Sequence, residues 1–551
     1  MPTNSSASIL SSSGKLHRLL LHDKQDIIAV YMLAVLAGVV QLSLPLGIQT
    51  IISFVMAGSI STSIITLILL VVLGTFINGV LQVRQLEIIE KLKQKIFLRF
   101  GLEFSNSLPR LNLVKLDGYH LPELVNRFFD TISLQKGLEK LLLDLPAAFI
   151  QILFGLLLLS FYHPVFIAFG ALLITIIVLI VRFTSPEGLR LALKSSDYKY
   201  KVLWWLQETA NLTNSFKYSP GNLHITKTDA LVAGHLDART RYFRVLLVQF
   251  WSLISFKVII TAAMLIVGTI LLVNQQINVG QFIAADIVII AIIASVEKLI
   301  VSLDKVYDAL VSIEKLGKIT EAEKETGGTA IMQSGGKPLS VRFEEVSFGY
   351  HNGDKVLEDV SFHIEPGKWA HIAGRSGSGK STLLRLLTGS YKDFTGNIVI
   401  DGKPINNYEL DTLRASTGIL LSSQEIFEGS LWENITMGDQ TIAPEEVTRL
   451  ADKIGLLEFV QSDHNGFDMQ LNTVGKRLPK HIRQRILLVR ALLGKHRLLL
   501  LEEPFEYLEP VAIEAVVEML KKNNNTTVVI AAENPLISDY CDVVINLGKQ
   551  R

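Results

Sequence analysis

The chain has 551 residues, of which 49% are hydrophobic and only 19% are charged. Soluble domains carry about 25% charged residues, whereas here residues 27–83, 145–181 and 258–285 contain no Asp, Glu, Lys or Arg. A wholly soluble protein and a disordered protein are therefore excluded. The net charge of +1 gives no support for a nucleic-acid partner, and the single cysteine, Cys541, excludes an internal disulfide bond.

Six apolar segments are long enough to cross a lipid bilayer, whose hydrocarbon core of about 30 Å needs roughly 20 helical residues. The predicted spans cover residues of about 27–56, 60–83, 141–162, 164–183, 247–273 and 280–302. We therefore predict an all-α, six-helix transmembrane domain over residues 1–325. The sixth span contains Asp286, an acid that lines a substrate path, forms a structural pair or faces water near the interface.

The distribution of Lys and Arg predicts how these spans are oriented. The turns near residues 57–61, 162–164 and 274–280 contain neither residue, whereas segments 84–140 and 182–244 contain many. Because basic loops stay on the cytoplasmic side, we expect both termini and the two long loops to be cytoplasmic. The expected location is the plasma (inner) membrane.

The second half of the chain has a different pattern. Residues 326–338 (TGGTAIMQSGGKP) are rich in glycine and small residues and are interpreted as a linker. Residues 339–551 then alternate short strand patterns with amphipathic helical patterns. This alternation is typical of an α/β domain with a partly parallel sheet.

A phosphate-binding loop is the clearest motif in this α/β domain. Residues 374–381 read GRSGSGKS, preceded by a strand pattern and followed by a helical one. Glycines let backbone N–H groups converge on phosphate, Lys380 adds a positive charge, and the Ser381 hydroxyl is a candidate Mg²⁺ ligand. Glu502 and Glu503 end a later apolar strand, where acids suit Mg²⁺ contact and water activation. The alternative for this pair is a solvated acidic loop.

With these features together, the chain resembles ABC exporters of the type I fold: six transmembrane helices followed by a P-loop nucleotide-binding domain. The resemblance implies ATP and Mg²⁺ as cofactors and a second half-transporter as partner, in either a homodimer or a heterodimer. Segments 118–130 and 208–218 resemble the two coupling regions of the family. Segment 279–320 resembles exporters of peptides, proteins and toxins, and type I secretion would add a periplasmic adaptor and an outer-membrane channel.

The resemblance also implies roles for individual residues. Tyr350 matches the aromatic residue that stacks on adenine, Glu503 matches the catalytic glutamate, and Glu502 stands at the Walker B aspartate position. Gln424 matches the Q-loop glutamine, implying a catalytic and Mg²⁺-binding role. The residues that match the nucleotide-binding Walker A motif are Gly374, Arg375, Ser376, Gly377, Ser378, Gly379, Lys380, Ser381 and Thr382.

The chain also departs from the family pattern. Leu478–Ile482 (LPKHI) replaces the signature that donates hydrogen bonds to the γ-phosphate across the dimer. The switch histidine is missing from 530–533 (IAAE), and residues 506–509 (EYLE) are unusual for the D-loop. Two interpretations follow. The chain is an ATPase of an exporter, weakened by these changes, or it is an ATP-binding, hydrolysis-deficient subunit paired with a partner whose signature is intact.

Overall fold

The structure is a computed structural model, and it describes residues 9–58, 62–112, 121–333, 336–350, 355–471, 478–523 and 525–548. The chain divides into two compact units. The first comprises Met1–Arg110 and Gly118–Ala322, and the second comprises Leu111–Asp117 and Glu323–Arg551.

The first unit is helical in its described part. Its α-helices are α1 (Ile9–Leu21), α2 (Lys24–Gln41), α3 (Ser43–Met56), α4 (Thr62–Ser107), α5 (Leu121–Asn126), α6 (Asp130–Glu139), α7 (Leu145–Tyr162), α8 (Val165–Asn211), α9 (Thr213–Lys217), α10 (Leu223–Val273) and α11 (Val279–Thr320). A π-helical segment, Lys140–Asp144, joins α6 to α7.

Six segments of the described chain are long and apolar enough to cross a membrane, which confirms the predicted six-helix architecture. They are Lys24–Met56, Thr62–Arg110, Glu123–Tyr162, Val165–Asn211, Leu223–Val273 and Val279–Thr320. Several helices are longer than a bilayer requires. The 46 residues of α4 extend about 69 Å at 1.5 Å per residue, so that this helix continues well beyond a hydrocarbon core of about 30 Å.

Breaks between the helices occur where the sequence removes backbone donors or favours a turn. The α7 helix ends at Tyr162 and α8 begins at Val165, so the predicted break at His163 and Pro164 is present. Pro45 lies in the first turn of α3, where a missing N–H costs no intrahelical hydrogen bond. Residues 59–61, part of the first predicted outer turn, lie outside the described residues.

Apolar side chains of this unit face both inward and outward. One buried cluster joins α7, α8, α10 and α11 through residues such as Leu173, Ile260 and Ile292. Other large apolar side chains, such as Phe76 at 68% exposed, lie on the outer surface. An apolar exterior on long helices is what a lipid environment requires.

The second unit contains two main sheets. Its strands are β1 (Val341–Gly349), β2 (Lys355–Ile364), β3 (Trp369–Ala373), β4 (Thr395–Ile400), β5 (Lys403–Pro404), β6 (Thr417–Leu420), β7 (Gly429–Ser430), β8 (Gln470–Leu471), β9 (Leu498–Glu502), β10 (Thr527–Ala532) and β11 (Val543–Asn546). A parallel sheet has the order β11-β3-β10-β9-β6, and an antiparallel sheet has the order β2-β1-β4-β5.

Helices pack around the parallel sheet, whose strands β3, β10, β9 and β6 are largely buried, whereas the edge strand β11 is partly exposed. They are α12 (Lys380–Leu387), α13 (Leu410–Ala415), α14 (Leu431–Thr436), α15 (Pro444–Lys453), α16 (Leu457–Gln461), α17 (Lys480–Leu492) and α18 (Pro510–Asn523). This arrangement confirms the predicted α/β domain.

The register of the parallel sheet gathers the predicted site residues at one edge. Ala532 at the end of β10 pairs with Ala373 at the end of β3, and Ala531 pairs with Glu502 at the end of β9. Open parallel sheets bind ligands outside the carboxyl ends of their strands. The phosphate loop after β3 and the acids after β9 therefore belong to one site.

Candidate functional site

The phosphate loop turns sharply between β3 and α12, and its glycines make that turn possible. Gly377 and Gly379 have φ values of +79° and +95°, a region that other residues seldom adopt. A Cβ atom on Gly379 would lie 2.7 Å from Leu357 Cδ2. The loop leads directly into the first turn of α12, whose backbone N–H groups and dipole favour an anion.

Lys380 lies at the start of α12 and is 9% exposed. Its Nζ atom donates hydrogen bonds to the carbonyl oxygens of Gly374 at 2.6 Å and Arg375 at 3.1 Å. Its third polar neighbour is Glu533, whose Oε1 atom is 3.5 Å away. The positive charge is therefore held inside the curve of the loop, where phosphate oxygens would meet it.

Two further hydroxyl groups of the loop suit a phosphate ligand. The Ser381 Oγ atom donates to Glu502 Oε1 at 2.5 Å, which joins the start of α12 to the end of β9. The Ser378 Oγ atom is buried and has no hydrogen-bond partner among the described residues. Because buried hydroxyl groups are normally hydrogen-bonded, Ser378 has capacity left for a ligand oxygen.

The predicted Mg²⁺ ligands are all oxygen donors, as this ion prefers. Besides the contact with Ser381, Glu502 accepts a hydrogen bond from the N–H of Ser422 at 2.8 Å through its second carboxylate oxygen. The Gln424 side-chain oxygen accepts from the Leu421 N–H at 3.1 Å. The described residues contain no cluster of three or more His, Cys, Asp or Glu side chains suited to a metal ion. The residues fit Mg²⁺ bound through few protein oxygens, with phosphate and water completing its shell.

Glu503 is held at three points. Its backbone N–H donates to the carbonyl of Ala531 at 2.9 Å, and its own carbonyl accepts from Gln484 Nε2 at 3.1 Å. Its Oε1 atom accepts from the backbone N–H of Glu533 at 2.7 Å. The residue has a φ of +43°, an uncommon value outside glycine that is typical of constrained functional positions.

Burial raises the pKa of the Glu503 carboxyl, and the nearby charges of Glu533 and Glu506 raise it further. The Glu533 N–H and the Lys380 charge act in the opposite direction. A carboxyl with a raised pKa is a better base when ionised, as general-base catalysis requires.

Tyr350 lies at another side of the loop. Its hydroxyl group shares a 3.0 Å hydrogen bond with the hydroxyl of Thr382 on α12. Its ring packs edge-on against Phe348 and Tyr391, with centroid distances of 5.2 and 5.8 Å. The ring is thus fixed beside the phosphate loop, as an adenine-stacking residue would be.

The start of α17, unlike the phosphate loop, departs from the pattern that the resemblance implies. Pro479 is the N-cap residue of this helix and makes no side-chain capping hydrogen bond, because proline has neither a polar side chain nor an N–H. Lys480 and His481, in the first turn, are exposed. The helix start therefore lacks the serine and glycines that the resemblance leads one to expect there.

Glu533 is a site residue that the sequence alone did not reveal. The family resemblance implies a histidine in the segment after β10, whereas the structure places the Glu533 carboxylate there, facing Lys380. The signal was present in the sequence, because Glu533 directly follows the apolar strand Thr527–Ala532, much as Glu503 directly follows β9.

Comparison with known proteins agrees with this geometry. Residues 357–506 match the family model described as ABC transporter. The solved structure of a bacterial Atm1-family ABC exporter with ATP bound superposes with a TM-score of 0.85, covering 95% of this chain and 94% of that one at 19% sequence identity. This chain has an ABC exporter fold and carries an ABC transporter domain.

Several curated relatives are similar over part of their length. The mitochondrial iron-sulfur clusters transporter ATM1 of Saccharomyces cerevisiae is 30% identical over 39% of this chain and 31% of its own length. The β-(1→2)glucan export protein NdvA of Agrobacterium fabrum is 30% identical over 47% and 45%. The α-hemolysin translocation protein HlyB of Escherichia coli O157:H7 is 29% identical over 54% and 42%. The matches therefore span less than half of each of these relatives.

Asp286 on α11 is partly buried and forms no hydrogen bond or ion pair with the rest of the described chain. By contrast, Lys257 on α10 and Glu297 on α11 form a salt bridge with a distance of 2.5 Å between Nζ and Oε2. The structural-pair interpretation of Asp286 thus receives no support from the described residues.

Proposed function

We propose that the chain is one half of a dimeric ABC exporter that couples ATP binding and hydrolysis to the movement of a substrate across the plasma (inner) membrane. The observation that carries this proposal is the convergence of Lys380, Ser381, Glu502 and Glu503 at one edge of the parallel sheet. This edge supplies a phosphate cradle, a candidate metal position and a candidate base together. The exporter fold and the ABC domain support the same reading.

In the proposed reaction, Lys380 and the loop N–H groups bind and orient the phosphates of ATP. The Glu503 carboxylate orients the attacking water and accepts its proton. Ser381, Glu502 and Gln424 would hold Mg²⁺, whose chemistry is to neutralise charge on the phosphate oxygens. Tyr350 would hold the adenine end.

Transport is proposed to follow a change in the helical unit when nucleotide binds. The short helices α5 (Leu121–Asn126) and α9 (Thr213–Lys217) lie in the two segments that resemble coupling regions. Residues 118–120 of the first segment lie outside the described residues. With the basic segments on the cytoplasmic side, both termini are cytoplasmic in this proposal.

The named substrates of three relatives belong to different chemical classes: iron-sulfur clusters, a glucan and a hemolysin. Asp286 has no hydrogen-bond or salt-bridge partner among the described residues, and we propose that a substrate or coupled cation contacts this position in the spans.

A second candidate function is an ATP-binding, hydrolysis-deficient subunit of a heterodimer. It is favoured by Pro479 at the start of α17 and by the Glu533 carboxylate beside Lys380. In this case a partner with an intact signature would complete one active site, and this chain would contribute the phosphate loop to it.

Turnover of ATP by the purified chain in lipid nanodiscs distinguishes the two candidates. If the chain is an ATPase, Glu503→Gln lowers turnover by about a hundredfold or more while ATP binding persists, because the amide keeps the shape but cannot accept the proton. The second candidate is supported if the wild-type chain binds ATP without turnover and turnover appears when a partner half-transporter is added. No binding of ATP by the wild-type chain contradicts both.

A further inference from the structure

A buried histidine lies in β3, close to the phosphate loop but outside the residues discussed so far. His371 is completely buried in the middle of the strand Trp369–Ala373. Its Nδ1 atom is 2.8 Å from the Ser538 hydroxyl oxygen, and its Nε2 atom is 3.1 Å from the carbonyl oxygen of Ala532. Both ring nitrogens are therefore hydrogen-bonded.

The partners fix the protonation of the neutral ring. A carbonyl oxygen can only accept a hydrogen bond, so Nε2 carries the proton and donates it to Ala532. The Nδ1 atom of the neutral ring is then an acceptor, and the Ser538 hydroxyl donates to it. The serine thus selects the tautomer that binds the end of β10.

The same peptide unit reaches the candidate base. The carbonyl of Ala532 and the N–H of Glu533 belong to one peptide group, and that N–H donates to Glu503 Oε1 at 2.7 Å. A continuous chain of hydrogen bonds therefore runs from Ser538 through His371 and this peptide to Glu503. Hydrogen bonds linked in this way polarise and strengthen one another in a buried environment.

We propose that His371 is a positioning residue for Glu503. It fixes the orientation of the Ala532–Glu533 peptide and strengthens the hydrogen bond that this peptide donates to the carboxylate. The proposal rests on the proposed role of Glu503 in ATP hydrolysis. A purely structural histidine would fill the core of the sheet without affecting the carboxylate.

Three variants of the full chain in nanodiscs test this role. His371→Leu removes both hydrogen bonds, His371→Gln keeps an N–H donor near the position of Nε2, and Ser538→Ala removes the tautomer-selecting donor. For His371→Leu we expect kcat for ATP to fall about tenfold, as is common when an outer partner of a functional group is lost. The affinity for ATP should stay within about twofold, because the phosphate loop is unchanged.

Recovery of kcat in His371→Gln and the melting temperature of Ser538→Ala distinguish a positioning role of His371 from a role in folding. The His371→Gln variant should recover most of kcat, and Ser538→Ala should show an intermediate loss with a melting temperature close to that of the wild type. If His371→Leu loses ATP affinity and kcat together and His371→Gln does not recover them, the histidine is structural and the proposal is wrong.

A second measurement does not depend on turnover. Nuclear magnetic resonance of chains with ¹³C-labelled glutamate carboxyls measures the pKa of Glu503, whose signal is assigned by its absence in Glu503→Gln. We expect His371→Leu to raise this pKa by about half a unit or more, because the hydrogen bond to the ionised carboxylate becomes weaker. Lys380, Glu533 and Glu506 also face this carboxyl and are unchanged in the variant. An unchanged pKa of Glu503 would overturn the proposal.

The two measurements also separate this proposal from the proposed function. If the wild-type chain turns over no ATP but the pKa of Glu503 responds to His371→Leu, the ATPase proposal fails and the hydrogen-bond chain stands. If turnover depends on Glu503 but neither kcat nor the pKa responds to His371→Leu, the ATPase proposal stands and the role of His371 is refuted.

Discussion

Two regions of the second unit differ in how well they match a nucleotide site: the phosphate loop, and the segments at the start of α17 and after β10. In the first region, the loop between β3 and α12 has Gly377 and Gly379 in left-handed conformations, the buried Lys380, and the buried Ser378 hydroxyl, which has no hydrogen-bond partner within the described chain. In the second region, α17 begins with a proline cap and an exposed Lys480, and Glu533, which follows β10, faces Lys380. In the proposed function, the phosphate loop would bind the nucleotide, and the altered segments would limit its turnover.

The largest effect on ATP binding should come from a substitution in the phosphate loop. Lys380→Ala removes a buried positive charge and should weaken ATP binding by about 2 kcal/mol, or roughly thirtyfold. Binding of a fluorescent ATP analogue by the chain in nanodiscs measures this. Lys403→Ala, an exposed lysine on β5, is the matched control and should bind like the wild type. Equal binding by Lys380→Ala would remove the basis of the proposed site.

Restoring the family signature at the start of α17 should increase ATP turnover. The triple substitution Pro479→Ser, Lys480→Gly and His481→Gly restores an N-cap hydroxyl, an N–H donor and close backbone approach. We expect ATP turnover by the chain alone to rise about tenfold or more, since donors to developing charge have large effects. The exposed Pro444→Ser at the start of α15 is the control. Turnover that does not change would show that the altered signature is not what limits the reaction.

A smaller effect is expected at Glu533. Glu533→Gln removes a negative charge 3.5 Å from Lys380 and keeps the backbone N–H that binds Glu503. Because this side chain is 54% exposed, we expect only about 0.5–1 kcal/mol, or ATP binding two- to fivefold tighter. Binding measurements on this variant and on Glu514→Gln, an exposed acid of α18, provide the comparison. Weaker binding in Glu533→Gln would mean that its carboxylate assists the ligand.

The smallest predicted effect concerns pH. Because burial and neighbouring acids raise the pKa of Glu503, and the base acts in its ionised form, kcat/KM should fall with decreasing pH at a value above the usual carboxyl range. Glu533→Gln removes one of the charges that raise this pKa, so the acid limb should move to lower pH. Profiles of kcat/KM against pH for both chains measure the shift, and a shift to higher pH would contradict the assignment.

The sequence predicted the fold well because its signals are local. Stretches without charge reveal spans regardless of tertiary structure, and the strand predicted directly before the phosphate loop is present as Trp369–Ala373. Glu533 and His371 were missed because their contacts near the site depend on the pairing of strands that are distant in sequence. Glu533 reaches Lys380 only because β10 pairs with β3, and His371 reads as an ordinary member of an apolar strand until Ala532 is placed beside it.

The length of α10 has a mechanical consequence. Its 51 residues form one uninterrupted helix of about 77 Å. A rigid rod of this length that tilts by about 5° displaces its far end by about 7 Å, which exceeds one helical turn. A rotation that moves atoms near the pivot very little is thus amplified into a displacement of more than one helical turn at the distant tip.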